Sequence, residues 1–142
     1  MCQVKHLLKG KGSDIYSIDP DQPVLEALQH MAQHQVGALL VMRDDQLLGI
    51  ISERDYARKV ILLGQHSNDT PVKEIMSPTP VTVSPEESVE ACMKLCTEGR
   101  FRHLPVEQSG RVVGVISIGD LIKAVIDDQA TEIEQLQRYI VS

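Results

Sequence analysis

Apolar positions along this chain recur in two rhythms, and both rhythms occur twice. Val24, Leu25, Ala27, Leu28, Met31 and Ala32 fall three and four apart, the spacing of a helix with one buried stripe. Val89, Ala91, Cys92, Met93, Leu95 and Cys96 repeat that spacing further on. Each helix is followed by two apolar runs that can pair as a hairpin. The first pair is "GALLVM" and "LLGIIS" around Asp44-Asp45-Gln46; the second is "HLPVEQ" and "VVGVIS" around Ser109-Gly110-Arg111. A second helix is predicted to start at Ser52 and again at Ser117. Ahead of the first helices, "IYSI" and "PVTV" read as short strands. They end at Asp19-Pro20 and Ser84-Pro85, where proline suits the first turn of a helix.

The recurrence is an internal duplication. Laying Asp55 on Asp120, a shift of 65, aligns residues 15–61 with 80–126 without a gap. Pro20 then meets Pro85, Leu39 meets Leu104, Gly49 meets Gly114, and Ser52 meets Ser117. The expected fold class is α/β (α+β): two pseudo-symmetric strand-helix-strand-strand-helix units. A unit of roughly 60 residues buries little surface alone, so the two are expected to pack as one module. The expected division is 4–62 for the first unit, 63–71 for a connector, 72–127 for the second unit and 128–142 for a helical tail. The lead-in "VKEIMSPTP" of the second unit echoes "VKHLLKGKGSD" before the first.

Composition narrows the partners. The 142 residues are 42% hydrophobic, enough for a core, but hold one Phe, three Tyr and no Trp, so that core is aliphatic. Scarce aromatics and a net charge of −6 point away from nucleic acid. No run reaches the ~20 apolar residues of a membrane span, and no secretory segment is visible. Three cysteines are too few and too poorly spaced for a disulfide framework, so a reducing, cytoplasmic setting is expected.

Chemistry concentrates in a phrase written twice, "GIISERD" (49–55) and "GVISIGD" (114–120). Ser-x-x-Asp before an apolar run is a helix capping box, in which Ser and Asp satisfy each other's backbone N–H groups. It also suits a ligand: a helix start favours anions, and a carboxylate accepts both O–H groups of a vicinal diol. The phrases differ in their middle positions, Glu53-Arg54 against Ile118-Gly119. A guanidinium matches phosphate oxygens two at a time, so Arg54 ranks the first phrase ahead.

The paired units, with "VKEIMSPTPVTVSPEESVEACM", "RHLPV" and the two Gly-x-Ile-Ser-x-x-Asp phrases, resemble a tandem pair of cystathionine-β-synthase (CBS) domains, or Bateman module. The likeness covers about residues 4 to 127, and "ISERDYARKV" further resembles small stand-alone bacterial CBS-pair proteins. It implies a non-catalytic regulator that binds AMP or a related adenine nucleotide in clefts between the units. Carried over, Asp55 and Asp120 hold the ribose while Ser52 and Ser117 meet ribose or phosphate. Arg54, with Arg102 and His103 of "GRFRHLPV", is expected at the phosphate. The base is expected among Tyr16, Ile18, Val36, Ala38 and Leu39 in one unit. In the other it is expected among Val81, Val83, His103, Leu104, Pro105 and Ile118. Core packing competes for each of these apolar residues. Two alternatives stand beside AMP: NAD(H) reaching both clefts, and a homodimeric interaction scaffold with vestigial pockets.

Other chemistry is thin. Cys92 and Cys96 lie on the predicted apolar helix face and read as small buried hydrophobes rather than a redox pair. His30 and His34 have metal-compatible spacing without a carboxylate in support. There is no P-loop or Rossmann fingerprint, and no triad or paired-acid site can be argued, so an enzyme is not expected. The tail carries Ile133, Leu136 and Ile140 at helical spacing, an apolar stripe that reads as a packing or dimer surface, and the resemblance to CBS pairs implies a homodimer. The protein target of such a regulator is not legible.

Overall fold

The duplication is written in the hydrogen bonds of two hairpins. In the computed structural model, which describes residues 2–12, 14–62, 64, 66–78 and 80–141, strand β2 (Ala38–Arg43) pairs antiparallel with β3 (Gln46–Ser52). Strand β5 (His103–Gln108) pairs in the same way with β6 (Arg111–Ser117). Ala38 faces Ser52 and Val41 faces Gly49; His103 faces Ser117 and Val106 faces Gly114. Both ladders slip at the same place, after Val41 and after Val106. Both turns hold two residues at positive φ, Asp44 (51°) and Asp45 (66°), Ser109 (54°) and Gly110 (78°). That geometry matches the right-handed twist of the flanking strands.

The helices follow the predicted stripes. α2 (Val24–His34) buries Val24, Ala27 and Met31; α5 (Val89–Gly99) buries Val89, Cys92 and Cys96. Leu25, expected in the stripe, is 40% exposed, because it lies off the face defined by those three. Both helices end on a left-handed residue, Gln35 and Arg100, so Arg100 serves the helix terminus.

The helices begin later than expected. Asp19-Pro20 and Ser84-Pro85 open turns, in which Gln22 N donates to Asp19 O and Glu87 N to Ser84 O (both 3.1 Å). Asp19 accepts from the Asp21 N–H, so its side chain builds the turn rather than a helix start. The short first strands are also reduced. β1 is Ser17–Ile18, parallel to β2, and its counterpart is a single parallel bridge between Val83 and Val106.

The lead-in segments lie where the repeat alone does not put them. By contacts, one body is Ile15–Val81, and the other joins Met1–Asp14 to Thr82–Ser142. The expected division into 4–62, 63–71, 72–127 and 128–142 follows the duplicated sequence, whereas packing draws its lines at 14/15 and 81/82. Helix α1 (Val4–Lys11) therefore closes the second repeat. α4 (Val72–Ile75) and β4 (Ser77–Pro78) close the first, with β4 completing the sheet order β1-β2-β3-β4.

The two attachments are equivalent bond by bond. Val4 N donates to Glu87 O and Lys5 N to Pro85 O; Val72 N donates to Gln22 O and Lys73 N to Pro20 O. Val89 N reaches Cys2 O as Val24 N reaches Thr70 O. Val4 and Val72 are both fully buried.

These attachments explain the glycine of the repeated phrase. A Cβ on Gly49 would sit 2.6 Å from Ser77 O, and one on Gly114 would sit 2.6 Å from Leu8 Cδ2. Each body has its own aliphatic core. One is built on Ile18, Val24, Met31, Leu39, Val41 and Ile51, the other on Val83, Val89, Cys92, Leu104, Val106 and Ile116.

The helices after the phrases diverge. In the first body a single turn, α3 (Glu53–Asp55), continues as a π-helical stretch over Tyr56–Ile61. In the second, α6 runs unbroken from Ile118 to Val141, merging the second helix with the tail.

Candidate functional site

Both Ser-x-x-Asp phrases fold as reciprocal caps. Ser52 N–H donates to Asp55 Oδ2 (2.9 Å) and Asp55 N–H donates to Ser52 Oγ (3.2 Å). In the second body Ser117 N–H donates to Asp120 Oδ2 (2.8 Å) and Asp120 N–H to Ser117 Oγ (3.1 Å). The next N–H in each is taken by backbone: Glu53 N by Gly37 O (3.1 Å) and Ile118 N by Arg102 O (2.9 Å). Helix-start donors that could have received a phosphate are thus largely committed inside the chain. What remains for a ligand is the carboxylate, which has more acceptor positions than the cap uses.

The two carboxylates differ in their surroundings. Asp55 Oδ2 also accepts from Ser52 Oγ (3.0 Å), and Lys59 Nζ stands 3.7 Å from Asp55 Oδ1. The same ammonium donates to Ile75 O (2.9 Å), which ties α4 to the helix that follows Ser52. The shift of 65 lays Lys59 on Ala124. With no long side chain there, an open pocket of ≈ 270 Å³ lies between α1 and α6. It is lined by His6, Leu7 and Gly10 from α1 and by Asp120, Lys123, Ala124 and Asp127 from α6. Arg54, which ranks the first phrase ahead in sequence, is exposed, and the carboxylate that lines the open pocket is Asp120.

The remaining sequence candidates divide. Ser117, His103, Arg102 and Ile118 gather at the start of α6 through the His103–Ser117 pair and the Ile118–Arg102 bond. Ala38 joins Ser52 in the same way in the first body. Ile18, Leu39, Val83 and Leu104 are core residues. Tyr16 packs on the first core and stacks on His34, with ring centroids 4.1 Å apart. Pro105 is buried on the strand face opposite Leu104 and Val106. Val81 falls by contact in the first body, 37% exposed, rather than beside Val83.

Sequence reasoning missed His6, Leu7, Lys123, Asp127 and the part played by Lys59. The signal was present in two places: the "VK" shared by the two lead-ins, and the Lys-to-Ala difference at matched positions of the repeat.

Cys92 and Cys96 sit in the second core at 0% and 3% exposure. Burial above all, with Glu87 and Cys96 nearby, pushes the Cys92 thiol up to about 11, and burial raises Cys96 as well. Such thiols are poor nucleophiles at neutral pH. Among the described residues no group of three or more His, Cys, Asp or Glu could hold a metal ion. No helix of the described residues is long and apolar enough to cross a membrane.

Comparison with known proteins identifies the family of the fold. The family model for the CBS domain matches twice, at residues 11–61 and 72–127. The mitochondrial CBS domain-containing protein CBSX3 of Arabidopsis thaliana is 40% identical over 139 residues, covering 93% of this chain and 68% of the relative. The solved structure of a putative signal-transduction protein with CBS domains from Burkholderia ambifaria superimposes with a TM-score of 0.87 at 46% identity, covering 90% of this chain and 96% of the other. The fold is also shared with CBSX2, solved in complex with AMP, at 23% identity and a TM-score of 0.71, over 91% of this chain and 99% of that one. With two matched domains, two equivalent hairpins and two Ser-x-x-Asp caps, this chain belongs to the CBS-domain family as a tandem pair.

Proposed function

We propose that this chain is a non-catalytic regulatory module that binds one adenine nucleotide, of the AMP type, at the Asp120 pocket. The observation that carries the reading is the contrast between the two carboxylates: Asp120 borders an open pocket, while Asp55 is covered by Lys59. In this reading Asp120 accepts from the ribose diol. Lys123, with His6 opposite it, meets the phosphate, and Leu7 and Ala124 give apolar contact. The volume of ≈ 270 Å³ is at the lower end of small-molecule sites and suits a mononucleotide better than NAD(H). That the fold can hold AMP is supported by CBSX2. Binding acts by favouring one of two states of a homodimer, which an unidentified protein partner reads.

The test is thermal unfolding with AMP, ADP, ATP, NAD, NADH and S-adenosylmethionine. Ligand at a hundred times its Kd adds about 2.7 kcal/mol. For a chain of this size that raises the midpoint by roughly 2–4 °C per kcal/mol. A shift with an adenine mononucleotide that is absent in Asp120→Asn supports the reading. That variant keeps an oxygen for the Ser117 N–H but loses the charge. No shift with any of the six removes it.

A further inference from the structure

The pocket beside Asp120 has a direction. Its described lining on α6 begins at Asp120, passes Lys123 and Ala124, and ends at Asp127. Spacings of three, four and seven keep these residues on one helical face, over a rise of about 10 Å. Asp120 is thus one end of the α6 wall and Asp127 the other, with Lys123 between them.

Local structure gives the Asp127 carboxylate little to do. It stands in the middle of α6 (Ile118–Val141), beyond the terminal turns where the helix dipole acts. Its backbone oxygen accepts from Thr131 Oγ1 (3.0 Å), a bond that does not involve the carboxylate. Lys123 precedes it by four, the weaker order for a helical ion pair. The duplication does not require the acid either. A shift of 65 lays Lys123 on Arg58 but Asp127 on Leu62, so the cation recurs and the acid does not.

We propose that Asp127 limits the phosphate chain of the ligand, admitting a nucleoside monophosphate and disfavouring the di- and triphosphate. The inference rests on the nucleotide placement at Asp120 given above and adds its selectivity. With the ribose at Asp120 and the first phosphate at Lys123, a further phosphate extends toward Asp127. There it meets a like charge. A site rejects a relative of its ligand by setting such a charge where the extra group lies. Lys123 and His6 together supply at most two positive charges, matched by the two carboxylates before any phosphate enters.

The experiment is isothermal titration of AMP, ADP and ATP into the full chain without divalent cations. The wild type should bind AMP most tightly and ATP least. Asp127→Asn should narrow the ratio of ATP to AMP dissociation constants by about five- to tenfold, the size of one solvent-screened like-charge contact. Asp127→Lys should bring ATP level with AMP or ahead of it. Asp128→Asn removes the same charge one position away, outside the pocket lining, and should leave the ratio unchanged. Both aspartates are exposed, and an unchanged thermal midpoint without ligand verifies that the variants fold. A wild type that binds ATP as tightly as AMP overturns the inference, as does an unchanged ratio in Asp127→Asn. Equal narrowing in Asp128→Asn also overturns it, since net charge then sets the selectivity. Those three outcomes leave AMP at Asp120 standing. A wild type that binds none of the three nucleotides removes that placement, and the inference with it.

Discussion

Lys59 reaches across one helical turn to place its ammonium 3.7 Å from Asp55 Oδ1, and the same group donates to Ile75 O. At the matched position in the second body Ala124 has no ammonium to offer, and a pocket lies beside Asp120. Two copies of one motif thus have different surroundings, and the Lys59 side chain is one of the differences. The ion pair itself is worth little, since Lys59 is 42% exposed. Its effect is to occupy space and carboxylate.

Removing that side chain should therefore uncover a second site. Lys59→Ala is expected to raise nucleotide stoichiometry from one toward two per chain, and Ala124→Lys to lower it toward zero. Equilibrium dialysis with radiolabelled AMP counts both. An unchanged stoichiometry in the two variants would mean that Lys59 does not separate the sites.

The glycines of the repeated phrase serve packing, which gives a test without ligand. Gly49→Ala drives a methyl group into a backbone oxygen, and Gly114→Ala drives one into the flexible end of Leu8. Overpacking costs about 1–3 kcal/mol. Urea denaturation should place Gly49→Ala at the upper end of that range and Gly114→Ala below it. Adding Leu8→Ala to Gly114→Ala should relieve the clash, so that the double variant loses less than the two single losses combined.

Much of this was legible in the sequence. The hairpins, their turns and the two amphipathic helices follow from periodicity, since those elements bury one face and their polar residues mark the other. The first strands were overread because "IYSI" and "PVTV" have strand composition but lie beside only one neighbouring strand. The helix starts were misplaced because Asp19 and Ser84 open turns. The exchange of lead-ins was not legible as such, because Val4 and Val72 are apolar in either assignment. The backbone bonds of Val4 and Val72 and the close approach at Gly49 and Gly114 distinguish the two. At the site, Ser52, Asp55, Ser117 and Asp120 were found from the repeat. The pocket was missed because α1 supplies half of it from far away in sequence.

The caps themselves have a measurable weight. Ser52→Ala and Ser117→Ala each remove an acceptor from a helix-start N–H, at a cost of about 1 kcal/mol. Both are expected to lower the urea midpoint by similar amounts, whereas only Ser117→Ala should also weaken nucleotide. Equal effects on binding would show that the two phrases are used alike.

Alkaline pH should destabilise the second core in a defined window. Below the ordinary thiol value of 9.0 the folded and unfolded states both hold the Cys92 proton, and its contribution is fully present. Between 9.0 and about 11 the unfolded chain ionises first, so stability falls as pH rises. The shift of 65 places Cys92 on Ala27 and Cys96 on Met31, so both positions accept apolar residues. Unfolding curves at pH 8 to 11 should show a shallower loss for Cys92→Ala/Cys96→Ala than for the wild type. Parallel curves would mean that the thiols do not govern that loss.

The most direct test of the central claim is isothermal titration of AMP into the wild type, Asp120→Asn and Asp55→Asn at equal concentrations. One site per chain is predicted, lost in Asp120→Asn and kept in Asp55→Asn. Absent binding to the wild type, or loss in Asp55→Asn with retention in Asp120→Asn, would contradict it.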